Sequence, residues 1–392
     1  MDGTNGRDRV SGRLMSIDTL RGADMSLIMG VQRLVIALSV WMGFGEHSWA
    51  ADQMRHVVWH GWHMMDGVFP VFMFVSGLSW PFSYAKQRER GMTSGEIWAK
   101  IGKRVLTLFL LGLVCEGILR IDRGWDALRI GSVFFRIGIC WAVAAGLSMY
   151  FGVKTRLAVA AVLLLGYWAI TANVVAPDAL TLAIPEHLDE FGRGPYSVVG
   201  NISGFIDRTI LPGRYRYPGV LDTQGTLSTL PAICFPLFGT LAGEFVRLKK
   251  DGLTGTRKSL LMLLVGLCFA GIGLLWSTVM PFNRSIWTSS HILFSSGYAL
   301  TLFSIFYWIV DVKGWRGWTF PFRVIGMNSL LIFLLQHFSG TNLMQVPSKA
   351  VFGGLANCFP KAAGDVVLAA GYVACCWTLL WFLYRKNTFL KA

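Results

Sequence analysis

Long apolar runs alternate with polar connections along most of the chain. Ten runs are long and apolar enough, or nearly so, to form helices across a bilayer core of about 30 Å, although the ninth is short and the fifth ends gradually. They are residues 19–44, 66–85, 101–119, 131–151, 157–175, 226–246, 259–280, 286–310, 322–338 and 362–383. Because a backbone in lipid must satisfy its own hydrogen bonds, we predict an all-α, polytopic integral membrane bundle of about ten transmembrane helices. Residues 1–392 are predicted to form a single domain.

The Lys and Arg residues between these runs predict the orientation of the bundle. With a cytoplasmic N-terminus, the cytoplasmic segments hold 23 basic residues and the opposite loops hold 11. Because basic residues accumulate on the cytoplasmic side, both termini are predicted to be cytoplasmic and loops 45–65 and 176–225 extracytoplasmic. The second loop is too long for a plain connection, which predicts a structured lid.

The composition supports a membrane location and argues against other classes of protein. Hydrophobic residues make up 54% of the chain and charged residues 15%, whereas about 25% of a soluble domain is charged. The net charge of +14 does not indicate nucleic-acid binding, because the basic residues lie in the connections and not on a soluble module. Six of the seven cysteines lie inside apolar runs, without the spacing of a disulfide framework or a zinc knuckle.

Several ionisable or amide side chains fall inside the predicted spans. Each is costly there unless it faces the interior of the bundle. They are Asp24, Gln32, Arg33, Arg136, Glu244, His291, Asn328 and His337. An internal salt bridge or hydrogen bond explains any one of them alone, but together they predict a polar cavity.

The segment HVVWHGWHMMD places three of the seven histidines at the start of the second predicted span. If this segment were helical, His56, His60 and His63 would share one face, and that spacing permits zinc binding. The flanking Trp59 and Trp62 equally suit a turn at the membrane interface. We predict that the segment binds no metal.

A single histidine acting as a general base is the sharper hypothesis for this segment. Imidazole accepts a proton near neutral pH, and Asp66 could hold its tautomer. The same carboxylate could instead cap the N-terminus of the second span. The sequence leaves both roles of Asp66 open.

Six motifs occur in order along the chain. They are S-x-D-x-x-R-G at 16–22, H-x-x-W-x-G-x4-D-x-x-F-P at 56–70, F-R-x-G at 135–138, D-x-x-G-x-x-S-T at 222–229, P-x-N-R-x-x-W-T-S at 281–289 and G-x-N-S at 326–329. Over nearly the whole chain, this set resembles the heparan-α-glucosaminide N-acetyltransferase family, and specifically its bacterial relatives.

The resemblance implies a transmembrane acetyltransferase. Such an enzyme moves an acetyl group from cytosolic acetyl-CoA to an amino sugar, a terminal or free hexosamine, at the other face of the membrane. The resemblance implies that His56 is catalytic, together with an asparagine eleven residues after the arginine of the first motif, a position that is Gln32 in this chain. For a bacterial relative, the implied location is the inner membrane with the His56 loop in the periplasm, and relatives suggest a homodimer.

Further roles follow from the resemblance and from the chemistry of acetyl transfer. The reaction needs a base for the proton of the acceptor and donors for the developing oxyanion. His56 is therefore predicted to be the base or a transient acetyl carrier, with Gln32, Asp66 and Asn328 as catalytic partners. The residues predicted to contact acetyl-CoA are Arg21, Arg33, Lys103, Arg104, Arg136, Asn283, Trp287 and Ser289. The residues predicted to contact the acceptor are Trp59, Asp222 and His337.

A multi-pass transporter of a sugar or another small polar solute is the alternative, because buried charges in a ten-span bundle also describe a carrier. The spans show no two-fold repeat, and the densest cluster of His and Trp lies at the rim of the bundle. A carrier usually binds its substrate near the midplane. Both observations favour the enzyme.

Overall fold

A computed structural model describes residues 14–119, 124, 128–184, 186–217 and 219–390. Arg7, Arg9, Arg13 and Lys391, which contribute to the predicted orientation, lie outside these residues. The described residues form helices and isolated β-bridges but no named strand. The predicted all-α class is confirmed for this part of the chain.

The helices follow one another along the chain, with long connections between α6 and α7, at residues 116–132, and between α8 and α11. They are α1 (Met15–Ser26), α2 (Gln32–Trp41), α3 (Trp49–Gln53), α4 (Met64–Leu78), α5 (Trp80–Glu89), α6 (Ser94–Cys115), α7 (Val133–Tyr150), α8 (Val153–Asn173), α9 (Glu186–Asp189), α10 (Ile202–Ile210), α11 (Thr229–Ala232), α12 (Cys234–Arg247), α13 (Gly255–Trp276), α14 (Ser289–Phe306), α15 (Phe320–Met327), α16 (Ser329–Gln336), α17 (Gln345–Ala356) and α18 (Lys361–Arg385). Leu27–Val31 forms a π-helical turn that joins α1 to α2, and Tyr307–Val312 forms another after α14.

Eight helical segments among the described residues are long and apolar enough to cross a membrane, or nine if the bent pair α15 and α16 forms one span. The third predicted span coincides with α6, whose first half contains Lys100, Lys103 and Arg104. These charges explain why α6 is not among the eight. The count of ten and the orientation of the termini stay predictions.

Several helices begin at a residue whose side chain accepts a hydrogen bond from a backbone N–H group of the first turn, which has no partner within the helix. At the start of α6, the hydroxyl of Thr93 accepts the N–H of Glu96 at 3.3 Å, and the carboxylate of Glu96 accepts the N–H of Thr93 at 2.8 Å. Ser132 caps α7 and Thr254 caps α13 through single hydrogen bonds of the same kind. Such caps determine the residue at which each helix begins.

Glycines allow the central helices to pack with their backbones in contact. A Cβ atom on Gly22 of α1 would lie 1.7 Å from a carbonyl oxygen of α15, and one on Gly77 of α4 would lie 2.0 Å from a carbonyl oxygen of α12. Small residues bring membrane helices together in this way. Helix α4 therefore lies at the centre of the bundle, where Phe74 and Leu78 are completely buried.

The first span is broken at Gly30. This residue has a φ of 139°, a backbone conformation that favours glycine. The carbonyl oxygen of Met29, beside the break, accepts a hydrogen bond from Nε2 of Gln336 at 3.0 Å. The break redirects α2 so that Gln32 and Arg33 at its start face a cavity.

Contacts of α1 with the junction of α4 and α5 and with the turn after α14 define one end of the bundle. Nη2 of Arg21 donates to Oγ of Ser79 at 3.0 Å, between the first span and the junction of α4 and α5. The backbone N–H of Met15 donates to the carboxylate of Asp311 at 3.1 Å. We call this the Arg21 end.

The opposite end contains the connections before α4 and after α13, which meet where the N–H of Gly61 donates to the carbonyl oxygen of Phe282 at 2.9 Å. Nε1 of Trp59 donates to the carbonyl oxygen of Tyr196 at 2.8 Å, and this tryptophan packs against a buried cluster that includes Val198 and Leu221. We call this the His56 end. The long loop 176–225 lies here and contains two short helices, α9 and α10.

Candidate active site

A cavity of about 1170 Å³ lies at the His56 end. Its polar and charged lining residues include Gln32, Arg33, His56, Asp66, Glu116, Arg129, Arg214, Arg216, Gln224, Arg284, His291, Gln336, His337, Asn342 and Lys349. The predicted polar cavity is therefore confirmed, with Gln32, Arg33, His291 and His337 as the intramembrane candidates that line it. Glu244 instead forms an ion pair with Arg156, at 2.5 Å.

His56 and Asp66 form a hydrogen-bonded pair at the cavity wall. Nδ1 of His56 lies 2.8 Å from Oδ1 of Asp66. Because an ionised carboxylate can only accept, Nδ1 carries the proton and Nε2 is left with a lone pair. The imidazole is 44% exposed and the carboxylate is completely buried. A fixed tautomer with a free Nε2 is the geometry of a general base.

Asp66 also caps α4. Its Oδ2 accepts the backbone N–H of His63 at 2.9 Å, and a longer contact of 3.4 Å joins the same oxygen to the N–H of Val57. The sequence left two alternative roles for Asp66, to orient His56 or to cap α4. In the structure the carboxylate performs both roles, with Oδ1 bonded to His56 and Oδ2 to the first turn of α4.

The surroundings of His56 favour its neutral form. Burial, the largest effect, lowers the pKa of His56 from its ordinary value. The hydrogen bond to Asp66 opposes this change, while the positive charge of Arg284 adds to it. The net result is a lowered pKa, so the imidazole is unprotonated at neutral pH.

Arg284 is a residue that the sequence reasoning missed. Its Nε lies 3.5 Å from Oδ1 of Asp66, so a guanidinium, a carboxylate and an imidazole form one connected group. Arg284 belongs to the motif at 281–289, and its charge beside Asn283 and Trp287 was the available signal.

The cavity has a basic rim. Arg33, Arg214, Arg216 and Lys349 line it, and no carboxylate among the described residues lies within ion-pairing distance of these four. The guanidinium of Arg33 lies 5.3 Å from the ring centre of Tyr372, a cation–π contact. Cations without counter-charges around a cavity attract an anionic ligand.

Arg214 and Arg216 belong to loop 176–225 and were missed by the sequence reasoning. No motif singles them out, and only the folding of the loop over the cavity brings them to it. The predicted acceptor residue Asp222 explains part of that folding. Its carboxylate binds Nε and Nη2 of Arg129, at 2.6 Å each, and so ties the loop to the chain ahead of α7.

Asp222 and Trp59 therefore have structural contacts and do not line the cavity. The third predicted acceptor residue, His337, does line it. Its Nδ1 lies 3.0 Å from the carbonyl oxygen of Phe333, and the two rings stack with centres 4.2 Å apart. His337 is thus the member of this predicted set that can reach a ligand.

Trp287 also lines the cavity, in an unusual conformation. Its φ is 54°, a left-handed conformation rare for a bulky residue. Its Nε1 donates to the carbonyl oxygen of Thr223 at 2.7 Å, and its ring packs edge to face against Phe69 with centres 5.2 Å apart. Such conformations persist where the surrounding structure holds them, often at functional sites.

Asn328 lies away from the cavity, at the break between α15 and α16. Its Nδ2 donates to the carbonyl oxygen of Thr388 at 2.9 Å, and its Oδ1 accepts the N–H of Leu390 at 3.0 Å. The amide is fully used in holding the C-terminal segment. Asn328 is therefore not brought to the cavity that contains His56, and this placement does not support the expectation that it donates to a thioester.

Three predicted acetyl-CoA contacts are buried and have structural partners instead. Nη2 of Arg136 donates to Ser228 at 2.6 Å, Oδ1 of Asn283 accepts the N–H of Ser285 at 2.8 Å, and the hydroxyl of Ser289 donates to the carbonyl oxygen of Leu164 at 2.7 Å. None of the three lines the cavity. Their motifs stabilise the walls of the site.

Arg21, Lys103 and Arg104 do not line the cavity either. Arg21 is at the opposite end, beside Ser79. The guanidinium of Arg104 lies 4.0 Å from the ring centre of Trp141, and Lys103 is exposed on α6. The predicted cytosolic phosphate contacts are therefore not brought to His56.

The helical face expected for His56, His60 and His63 does not form, because residues 55–63 are not helical. His60 packs against Phe191, with ring centres 5.8 Å apart, and Nδ1 of His63 lies 3.0 Å from the carbonyl oxygen of Arg55. Within the described ranges, no three His, Cys, Asp or Glu side chains are grouped so as to hold a metal ion.

Comparison with curated proteins finds two related enzymes. The human heparan-alpha-glucosaminide N-acetyltransferase is 27% identical over 369 residues, a match that covers 82% of this chain and 52% of the human protein. The mouse heparan-alpha-glucosaminide N-acetyltransferase is 26% identical over 369 residues, covering 82% of this chain and 53% of the mouse protein. The chain thus spans about half the length of the relatives it matches. No family model matches it.

Proposed function

This chain is related to the heparan-alpha-glucosaminide N-acetyltransferases, and we propose that it is a membrane acetyltransferase that uses acetyl-CoA and acetylates an amino sugar. The observation that supports this function most strongly is the His56–Asp66 pair on the wall of a large cavity with a basic rim. A base, an oriented carboxylate and a site for an anion are what the reaction requires.

In the proposed reaction, Nε2 of His56 takes a proton from the amine of the acceptor as its nitrogen attacks the thioester carbonyl. The C–S bond then breaks, and the thiolate of CoA receives a proton from the imidazolium. Asp66 stabilises the imidazolium through Nδ1 and keeps the ring in one orientation. Gln32, an amide on the cavity wall, donates to the carbonyl oxygen as negative charge develops there.

The same geometry allows His56 to carry the acetyl group transiently. Nε2 would attack the thioester first, and the acceptor amine would then attack the acetyl-imidazole. Both routes use the same nitrogen and the same partner carboxylate. They differ in whether an acetylated enzyme forms before the acceptor binds.

The basic rim is the proposed site for the phosphates of CoA. Arg33, Arg214, Arg216 and Lys349 replace the predicted set of Lys103 and Arg104 in this role, because they line the cavity that contains His56. Arginine suits phosphate oxygens because its planar donors bind two of them at once. The amino-sugar acceptor then occupies the part of the cavity next to His56 and His337.

The sidedness of the reaction is a separate part of the proposal. We propose about ten spans with both termini in the cytoplasm of a bacterium, so that the His56 end faces the periplasm across the inner membrane. Among the described residues, none at the Arg21 end lines the cavity. Supply of acetyl-CoA from the cytosol therefore requires a second conformation in which the cavity opens toward Arg21. A homodimer, which the resemblance implies, is part of this proposal.

An assay with purified protein in nanodiscs tests the proposed activity. Acetyl-CoA labelled in the acetyl group is supplied with a panel of hexosamines, and the wild type is compared with His56→Phe and with His60→Phe as the matched control outside the cavity. Acetylated sugar from the wild type and the control, but not from His56→Phe, supports the proposal. Absence of transfer to every sugar, together with solute uptake by vesicles containing the protein, would favour the transporter.

A further inference from the structure

His291 is a buried imidazole without a hydrogen-bonding partner. It lies in the first turn of α14, is 1% exposed and lines the cavity. Neither Nδ1 nor Nε2 has a hydrogen-bonding partner among the described residues. Because buried polar groups are normally paired, a side chain in this state next to a cavity points to a ligand.

His291 lines the same cavity as the His56–Asp66 pair. Asp66 and Arg284 are the two charged groups that act on His291 electrostatically, and both also act on His56. The imidazole of His291 packs edge to face against the ring of Trp287, with centres 6.1 Å apart and planes at 88°. Trp287 itself is held by Thr223 and Phe69. This contact helps to hold the His291 ring at the wall of the cavity that His56 also lines.

Two amide side chains that also line the cavity already have partners. Nε2 of Gln336 donates to the carbonyl oxygen of Met29 at 3.0 Å and to the hydroxyl of Tyr372 at 2.8 Å. Nδ2 of Asn342 donates to the same hydroxyl at 2.8 Å. His291 keeps an uncommitted N–H, whichever of its nitrogens bears the proton.

We infer that His291 is a second catalytic residue, whose ring N–H donates a hydrogen bond to the acetyl carbonyl oxygen of acetyl-CoA. This inference rests on the proposed function. When the acceptor nitrogen attacks the carbonyl carbon, the carbonyl electrons move to oxygen, and this oxyanion accepts hydrogen bonds from His291 and Gln32. Re-forming the C=O bond expels the CoA thiolate, which takes the proton that His56 received from the amine. His291 gains and loses no proton.

A donor of this kind acts on the transition state more than on the bound substrate. The carbonyl oxygen bears more negative charge at the transition state, so the hydrogen bond strengthens there. Loss of the donor should lower kcat while the affinity for acetyl-CoA, which depends on the basic rim, changes little. This separates His291 from a residue that only shapes the cavity.

Two substitutions that keep the cavity filled provide the test. His291→Phe keeps a ring of similar size but has no donor, whereas His291→Gln keeps an N–H donor. We expect His291→Phe to lower kcat about 100-fold with the KM for acetyl-CoA nearly unchanged, and His291→Gln to recover a large part of this loss. His60→Phe, the same change outside the cavity, should keep wild-type kcat.

A second measurement observes the hydrogen bond without turnover. In a His56→Ala background, the infrared band of acetyl-CoA labelled with carbon-13 at the carbonyl is compared between His291 and His291→Phe. The carbonyl frequency should be lower when His291 is present, because its N–H polarises the bond.

The outcomes distinguish the inference from the function on which it rests. An active wild type, with His291→Phe unchanged in kcat and in carbonyl frequency, would overturn the inference alone. An increase in KM with unchanged kcat would also overturn it, because it would make His291 a binding residue. A wild type that transfers no acetyl group to any acceptor would overturn both proposals.

Discussion

Oδ1 of Asp66 is 2.8 Å from Nδ1 of His56, while Oδ2 of the same carboxylate caps α4, the helix in whose first turn Asp66 lies. The position of the imidazole is therefore tied to the first turn of the central helix α4. Since α4 packs backbone to backbone against α12, the proposed base stands on one of the most firmly held elements of the bundle. Rigid support of this kind is needed to hold catalytic geometry.

Asp66→Asn tests the orienting role of the carboxylate. Asparagine keeps an oxygen that can cap α4, but its amide N–H₂ facing Nδ1 would favour the wrong tautomer of His56 and leave no lone pair on Nε2. We expect kcat to fall about 100-fold or more, with only a modest change in the temperature of unfolding. Steady-state kinetics and thermal unfolding in the same detergent measure both. A kcat close to wild type would show that His56 does not depend on this partner.

The pH dependence of kcat/KM tests the protonation state of His56. The base must be neutral, so activity should be present above its pKa and be lost as the pH falls through that value. Because burial lowers the pKa of His56, the acid limb should lie below the ordinary value of about 6.5.

Arg284→Gln gives a directional control for this pH profile. Arg284 lowers the pKa of His56, so removal of its positive charge should move the acid limb to higher pH. If the acid limb of Arg284→Gln moves to lower pH instead, the titrating group is not His56. The same conclusion follows if the acid limb is unchanged both in Arg284→Gln and in His56 variants.

The basic rim predicts which cations bind acetyl-CoA. Arg216→Gln and Lys349→Gln should each raise the KM for acetyl-CoA several-fold, and increasing salt should reduce the difference from wild type. Lys103→Gln is the matched control, because Lys103 is exposed and does not line the cavity. If the KM responds to Lys103 and not to the rim, the nucleotide lies at the cytoplasmic side, as the sequence alone suggested.

Asn328→Ala separates stability from catalysis. Its two hydrogen bonds hold residues 388–390, and loss of a buried amide of this kind costs about 1 to 3 kcal/mol. We expect a lower unfolding temperature but unchanged kcat per folded molecule, measured after size-exclusion chromatography. A selective loss of kcat would restore Asn328 to the active site.

The sequence predicted the bundle well because the apolar runs are long and separated by charged connections. It also indicated the pairing of His56 with Asp66 as one of two open roles for this carboxylate, since the two residues flank a short connection at the start of a span. Because the two residues are close in the chain, few relative positions of their side chains are possible. The non-helical course of residues 55–63 could not be predicted, because it depends on the contact between Gly61 and Phe282.

The residues that line the cavity were predicted less well, for a physical reason. A motif marks residues that are needed, but it does not separate those that touch a ligand from those that hold the wall, as Asn283 and Ser289 do. The opposite error occurred for Arg214 and Arg216. They lie in a loop whose path is set by the Arg129–Asp222 pair and by Trp59, contacts between segments far apart in the chain.

A single-turnover experiment tests the central claim most directly. Wild-type protein and His56→Gln, each in excess over acetyl-CoA labelled in the acetyl group, are mixed with the best hexosamine acceptor and quenched at intervals. The account predicts rapid formation of the acetylated sugar by the wild type and a rate at least about 100-fold lower for His56→Gln, with acetyl-CoA still bound. Equal rates for the two proteins would contradict it.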